Sequence, residues 1–144
     1  MRKKQLVLVI VFLVIVALYL YFPRERSEMV TVTRVIDGDT IVVEGGERVR
    51  LAGIDSQEEG EKCYEPAKKR MEELILKEQV RLVAGDKGKY GRTLGYIFYN
   101  GSLVNKKLVE EGLAVAYFYE DTDYRSEIEE AETRAMEANQ GCEW

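Results

Sequence analysis

From Leu6 to Phe22 every residue is apolar or aromatic, a run of 17 preceded by Arg2, Lys3 and Lys4 and followed by Pro23. A helix lying on a soluble core keeps one polar stripe, and this run has none. At about 1.5 Å of rise per residue it comes close to spanning a hydrocarbon layer about 30 Å thick. It is long for the core of a cleaved signal, and Leu20-Tyr21-Phe22-Pro23-Arg24 offers no small residues spaced for cleavage. Residues 1–27 therefore read as an N-terminal signal-anchor helix (apolar over 6–22) and a linker, with removal and secretion as the alternative. Under either reading the basic end stays inside and the rest is exported.

What remains, 28–144, is the length of one domain. From Glu28 onward there are 16 Lys and Arg against 25 Asp and Glu, a net charge of −9. Binding nucleic acid through a generally basic surface is therefore disfavoured, and any phosphate chemistry must rest on a local cluster or a metal. The chain has no histidine. That excludes a nucleophile served by imidazole, a histidine-ligated zinc and a histidine acid–base pair, leaving carboxylates, Lys, Arg and Tyr. Its two cysteines, Cys63 and Cys142, suit an exported domain as one disulfide.

Three strand-like runs follow the linker, at 29–36, 40–45 and 47–54. Asp37-Gly38 and Gly45-Gly46 stand as the turns of a meander. An acidic loop leads to Pro66, where Ala67, Met71, Leu74 and Ile75 fall on one stripe of a helix over 66–77. Strands over 79–84 and 92–100 enclose the loop GDKGKYG. A short helix over 103–111 stops at Gly112, AVAYFY extends, and Ile128, Ala131, Ala135 and Ala138 mark a last helix. This order predicts an α+β, mainly β domain: a five-stranded OB-fold barrel with about three α-helices, preceded by the N-terminal helix.

A hairpin explains Asp37 and Gly38 in VIDGDT but not Asp39. Asp55, read as the end of the third strand, can return beside the start of the second. Two carboxylates held together with no histidine or neutralising lysine between them make an oxygen-rich site suited to Ca²⁺ or Mg²⁺. Taken singly, the charged residues nearby have ordinary readings: Arg50 could pair with Glu44 or Glu47, Arg92 could close a loop, and Glu58 stands in an acidic run with Glu59 and Glu61.

Taken in order, IDGDT (36–40), RLAGIDSQE (50–58), KYGR (89–92), LVNKKLVEEGLA (103–114) and AYFY (116–119) resemble the staphylococcal nuclease family across nearly all of 29–139. The resemblance implies a Ca²⁺-dependent nuclease on this barrel, cleaving DNA and RNA with little sequence preference and leaving 3′-phosphates. It implies Asp39, Asp55 and the backbone carbonyl of Ser56 as metal ligands. Arg50 and Arg92 would hold the phosphate, and Glu58 would act on the attacking water. Lys89, Tyr90, Tyr117 and Tyr119 would line the nucleotide pocket of a monomeric catalytic domain.

Two departures stand out. The family usually continues from Asp55 with Thr-Pro, where this chain has Ser56-Gln57, so a fixed φ is lost beside Glu58. The acidic balance also weakens long-range attraction for a polyanion. A non-catalytic barrel that binds single strands or a protein partner at the cell surface is the rival reading. Such a binder would not need the complete set of acids and arginines.

Overall fold

The structure is a computed structural model that describes residues 2–21, 26–119 and 122–144. Helix α1 (Arg2–Tyr21) contains a 19-residue stretch long and apolar enough to cross a membrane, none of it buried against the rest of the chain. Phe22 and Pro23, which bound the expected span, lie outside the described residues.

Strands β1 (Arg26–Val35), β2 (Thr40–Val43) and β3 (Arg48–Leu51) form the expected antiparallel meander. β1 begins two residues before 28, so its first residues come from the segment read as linker. The run 47–54 does not continue as one strand. Gly53 takes φ +76°, and a Cβ there would lie 2.7 Å from the Phe118 ring, so the chain turns. Ile54–Asp55 becomes a separate strand, β4. Asp55 thus does not end the third strand, as the sequence suggested. It pairs with Val115 of β8 (Val115–Ala116), the one part of AVAYFY that forms a strand.

Helix α2 (Tyr64–Ile75) starts two residues before Pro66, which still occupies the first turn, where its missing N–H is not needed. Ala67, Met71 and Ile75 point into the core. β5 (Gln79–Lys87) pairs antiparallel with β1 and with β6 (Thr93–Tyr99), and β6 closes the ring by running parallel to β3. The five-stranded barrel is therefore β3-β2-β1-β5-β6, with β7 (Ser102–Leu103) as a short appendage on β6. Helix α3 (Val104–Glu110) follows, and α4 (Arg125–Glu137) buries Ile128, Ala131 and Ala135 against it. Three helices accompany the barrel and one precedes it.

Alternation along the strands places Val30, Val32, Ile41, Val43, Val49, Leu51, Leu82 and Ile97 inside the ring. One polar side chain is fully buried among them. Asn105 accepts from the Ile97 N–H (2.9 Å) and donates to the carbonyls of Ala52 (2.8 Å) and Gly95 (3.2 Å), tying α3 to the point where β3 gives way to β4. The irregular segment carrying Asp55 to Glu58 therefore starts from a fixed base.

Candidate active site

The β1–β2 turn closes with the Ile36 N–H on the Thr40 carbonyl (2.9 Å), and the Asp37 carboxylate accepts the Asp39 N–H (3.0 Å). Gly38 is needed here for space rather than for a left-handed φ, as a hairpin reading would have it. A Cβ at 38 would lie 2.6 Å from Ala67 Cβ and 2.8 Å from Ser56 Cβ. The turn is thereby pressed against α2 and against the segment after β4, and Asp39 emerges buried between them.

Both carboxylate oxygens of Asp39 are occupied. Oδ1 accepts the Thr40 hydroxyl (2.9 Å) and lies 3.1 Å from Nε of Arg50. Oδ2 accepts the backbone N–H and the hydroxyl of Ser56, at 2.8 and 2.9 Å. Arg50 then spans to the second acid: Nη2 donates to Asp55 Oδ1 (2.7 Å), while Nη1 donates to the carbonyls of Leu51 (2.6 Å) and Ile54 (2.7 Å). The two aspartates, read from the sequence as having no histidine or lysine between them, are bridged by a guanidinium whose side chain is only 15% exposed. Glu47 is not its partner, since that carboxylate takes Lys87 and Thr93.

Burial, and then the charge of Asp39, raise the carboxyl of Asp37 above its ordinary value. Burial also raises Asp55, outweighing the Arg50 attraction that lowers it, and Asp39 adds to the rise. Among the described residues, no three acidic, histidine or cysteine side chains gather about one point.

After Asp55 the chain is fastened residue by residue. Ser56 is tied to Asp39. Gln57 donates through Nε2 to Glu143 Oε2 (2.9 Å) and accepts the Cys63 N–H on Oε1 (2.6 Å). The Glu58 N–H donates to Glu61 Oε2 (2.6 Å), and its own carboxylate projects from an exposed position with no partner among the described residues. Cys63 and Cys142 are bonded, with Cα atoms 5.6 Å apart, and this staples the start of α2 to the C-terminal tail as expected.

Arg92 stands just before β6 rather than opening it as the run 92–100 suggested, and the first residue of β6, Thr93, lies opposite Val49 on the strand that carries Arg50. The Nε of Arg92 is buried without a hydrogen-bond partner among the described residues, and its guanidinium stands 5.8 Å from the Tyr90 ring. Tyr90 is 91% exposed and takes φ +66° in the turn between β5 and β6, with exposed Lys89 beside it. Tyr117 and Tyr119 meet edge to face, ring centroids 5.0 Å apart, and the Tyr117 N–H donates to the Gly53 carbonyl (3.0 Å). The structure thus joins Asp39, Arg50, Asp55 and Ser56 by direct bonds. Arg92 with Tyr90, in the turn before β6, and Tyr117 with Tyr119, just after β8, form two further groups.

Sequence reasoning missed Thr40, Gln57 and Glu143. Thr40 follows Asp39 directly, and a hydroxyl next to an inward acid was a usable signal. Gln57 and Glu143 are 86 residues apart, and nothing local links them. A concavity of about 350 Å³ among the described residues lies on α4, around Arg125 and Glu129.

A sequence model of the family described as staphylococcal nuclease homologue matches residues 48–142. The thermonuclease of Staphylococcus intermedius is 41% identical over 123 residues, covering 77% of this chain and 73% of that protein. This chain belongs to the staphylococcal nuclease family. The thermonuclease of Staphylococcus hyicus is 31% identical over 160 residues, covering 94% of this chain and 95% of its own length. The micrococcal nuclease of Shigella flexneri is 34% identical over 122 residues, 76% of this chain and 70% of its own. The staphylococcal nuclease match opens on β3 and so takes in Arg50, Asp55, Ser56, Glu58 and Arg92, while Asp39 lies just before it.

Proposed function

We propose that this protein is a Ca²⁺-dependent nuclease that hydrolyses DNA and RNA with little sequence preference and leaves 3′-phosphate products. The observation that carries this reading is the pairing of two oxygen-rich aspartates with Arg50 on β3 and Arg92 at the start of the neighbouring β6, where Arg92 buries a donor with no partner among the described residues. An unused buried donor costs free energy unless a ligand satisfies it, and the group a guanidinium fork fits best is a phosphate or carboxylate.

The donor set suits a hard divalent cation. It consists of carboxylate, hydroxyl and carbonyl oxygens, the hard donors such an ion prefers. Asp39, Asp55 and the Ser56 carbonyl would hold Ca²⁺, with water completing a shell of six to eight oxygens, as is typical of the ion. Once bound, the ion supplies a positive charge beside the phosphate, where negative charge grows in the transition state.

Arg50 and Arg92 bind the scissile phosphate and answer its extra charge at the five-coordinate phosphorus. Losing one such donor typically costs about 10² to 10³ in rate. Glu58, whose exposed carboxylate has no partner among the described residues, takes a proton from or orients the attacking water, a role worth about 10² to 10⁴. Lys89 with Tyr90, and Tyr117 with Tyr119, offer exposed charge and rings on which bases stack irrespective of identity. Helix α1 anchors the chain, and its basic end keeps the monomeric catalytic domain on the outer side of the membrane.

The test uses the full chain in detergent, incubated with denatured DNA or RNA in millimolar Ca²⁺ or in chelator, beside Glu58→Ala and Arg92→Ala. Cleavage that needs Ca²⁺, is nearly abolished by both substitutions and leaves 3′-phosphate ends is the expected result. Intact substrate with the folded protein would overturn the reading and leave a binding module.

A further inference from the structure

The segment that carries Glu58 is held by few bonds. From Gln57 to Lys62, the one described hydrogen bond that leaves the segment for a distant part of the chain is that of Gln57 to Glu143. The bond between Glu58 N–H and Glu61, and that between Glu61 N–H and the Glu58 carbonyl (3.0 Å), are internal. Gly60 at φ +93° is conformationally permissive, and no proline stiffens the chain after Asp55. On one side Ser56 fixes the segment to Asp39. On the other, both the Gln57 bond and the Cys63–Cys142 disulfide lead to the same C-terminal tail.

That tail is built as an anchor. The N–H groups of Cys142 and Glu143 both donate to the Gly112 carbonyl at 3.1 Å. Neither Gly112 nor Gly141, both at positive φ, has room for a Cβ against the opposing backbone. Burial opposes the charge on Glu143 first, and nearby Glu61 and Asp55 then repel it. A covalent bond one residue away overcomes that repulsion by keeping its local concentration high.

We propose that the disulfide-fastened tail is a working part of the active site: Glu143 grips Gln57 and so fixes the segment that aims Glu58, replacing the rigidity a proline after Ser56 would give. Gln57 and Glu143 are positioning residues in this scheme. It rests on the nuclease reading for its effect on rate, but the mechanical link can be measured without it.

The test compares wild type with Glu143→Ala, Glu143→Gln and Gln57→Ala, all as full chains in detergent. Outer partners of this kind typically contribute about 10- to 100-fold to activity. Glu143→Ala and Gln57→Ala should therefore lower kcat by about that factor with KM little changed, and the double variant should be no worse than either alone. Glu143→Gln keeps an oxygen that accepts from Gln57 and should keep wild-type kcat, which separates the grip from a mere change of charge. In Ca²⁺-free protein, amide exchange over 57–63 should quicken in Glu143→Ala and not in Glu143→Gln. Wild-type kcat in Glu143→Ala, or equal losses in Glu143→Ala and Glu143→Gln, would overturn the proposal, as would unchanged exchange. If wild type itself cleaves nothing, the nuclease reading fails, and the exchange comparison alone decides whether the tail holds the segment. Cys142→Ser should behave as Glu143→Ala does, and a failure of that variant to fold leaves the other three decisive.

Discussion

Ser56 grips Oδ2 of Asp39 twice, through its backbone N–H at 2.8 Å and its hydroxyl at 2.9 Å, across 17 residues of sequence. Together with Thr40 and Arg50 on Oδ1, this gives the buried carboxylate four donors. Asp39→Asn keeps the shape but turns an N–H₂ toward groups that themselves donate. An unsatisfied buried donor costs about 1 to 3 kcal/mol, so urea unfolding should show a loss of that size. The variant should also lose any stabilisation that wild type gains from added Ca²⁺. Wild-type unfolding in Asp39→Asn would show that these four contacts carry no net energy.

Arg92 makes the opposite prediction. Its Nε has no partner among the described residues, so Arg92→Lys should leave the melting temperature unchanged. An ammonium cannot reproduce a planar fork on phosphate, and kcat should fall by about 10² to 10³. A drop in melting temperature with kcat preserved would mark Arg92 as a structural residue.

Gly38 couples the turn to α2. Gly38→Ala would push a methyl within 2.6 Å of Ala67 Cβ and 2.8 Å of Ser56 Cβ, overpacking that typically costs about 1 to 3 kcal/mol. The displacement falls on Ser56, so activity should drop with stability. Ala67→Gly in the same chain removes one of the two colliding atoms and should restore part of the stability, a non-additivity that a thermal-melt cycle measures. Additive losses would place the strain elsewhere.

The barrel was legible because its strands alternate and its turns carry glycines, and those signals are local. Val49 and Leu51 point inward and Arg50 outward, as strand periodicity requires, and the Asp39 neighbourhood followed from one residue that the turn did not need. The break at Ala52-Gly53 was not legible. RVRLAGID keeps the composition of a strand, and what stops it is the Phe118 ring arriving from 65 residues later. The bridge by Arg50 was equally hidden, because an arginine five residues before Asp55 and eleven after Asp39 reaches both only once β2 and β3 are paired. Gln57 looked like the loss of a proline, and its role depends on a tail that the disulfide and the Gly112 carbonyl bring near.

Two acids should give the folding stability opposite dependences on pH. The hydrogen bonds from Arg70, 2.7 and 2.9 Å, hold the Glu111 carboxyl below its ordinary value of 4.5. The folded chain therefore keeps this charge where the unfolded chain binds a proton. The contribution is fully present above about 4.5 and is lost as pH falls through the lowered folded value. Glu143 is raised instead, chiefly by burial, so its charged form weakens the fold above the ordinary value and the penalty fades on acidification. In urea titrations between about pH 3 and 7, Glu111→Gln should be less stable than wild type at neutral pH and converge with it in acid. Glu143→Gln should be at least as stable as wild type at neutral pH and lose that advantage in acid. Parallel curves for Glu111→Gln and wild type would show that the Arg70 pair adds nothing to the acid dependence.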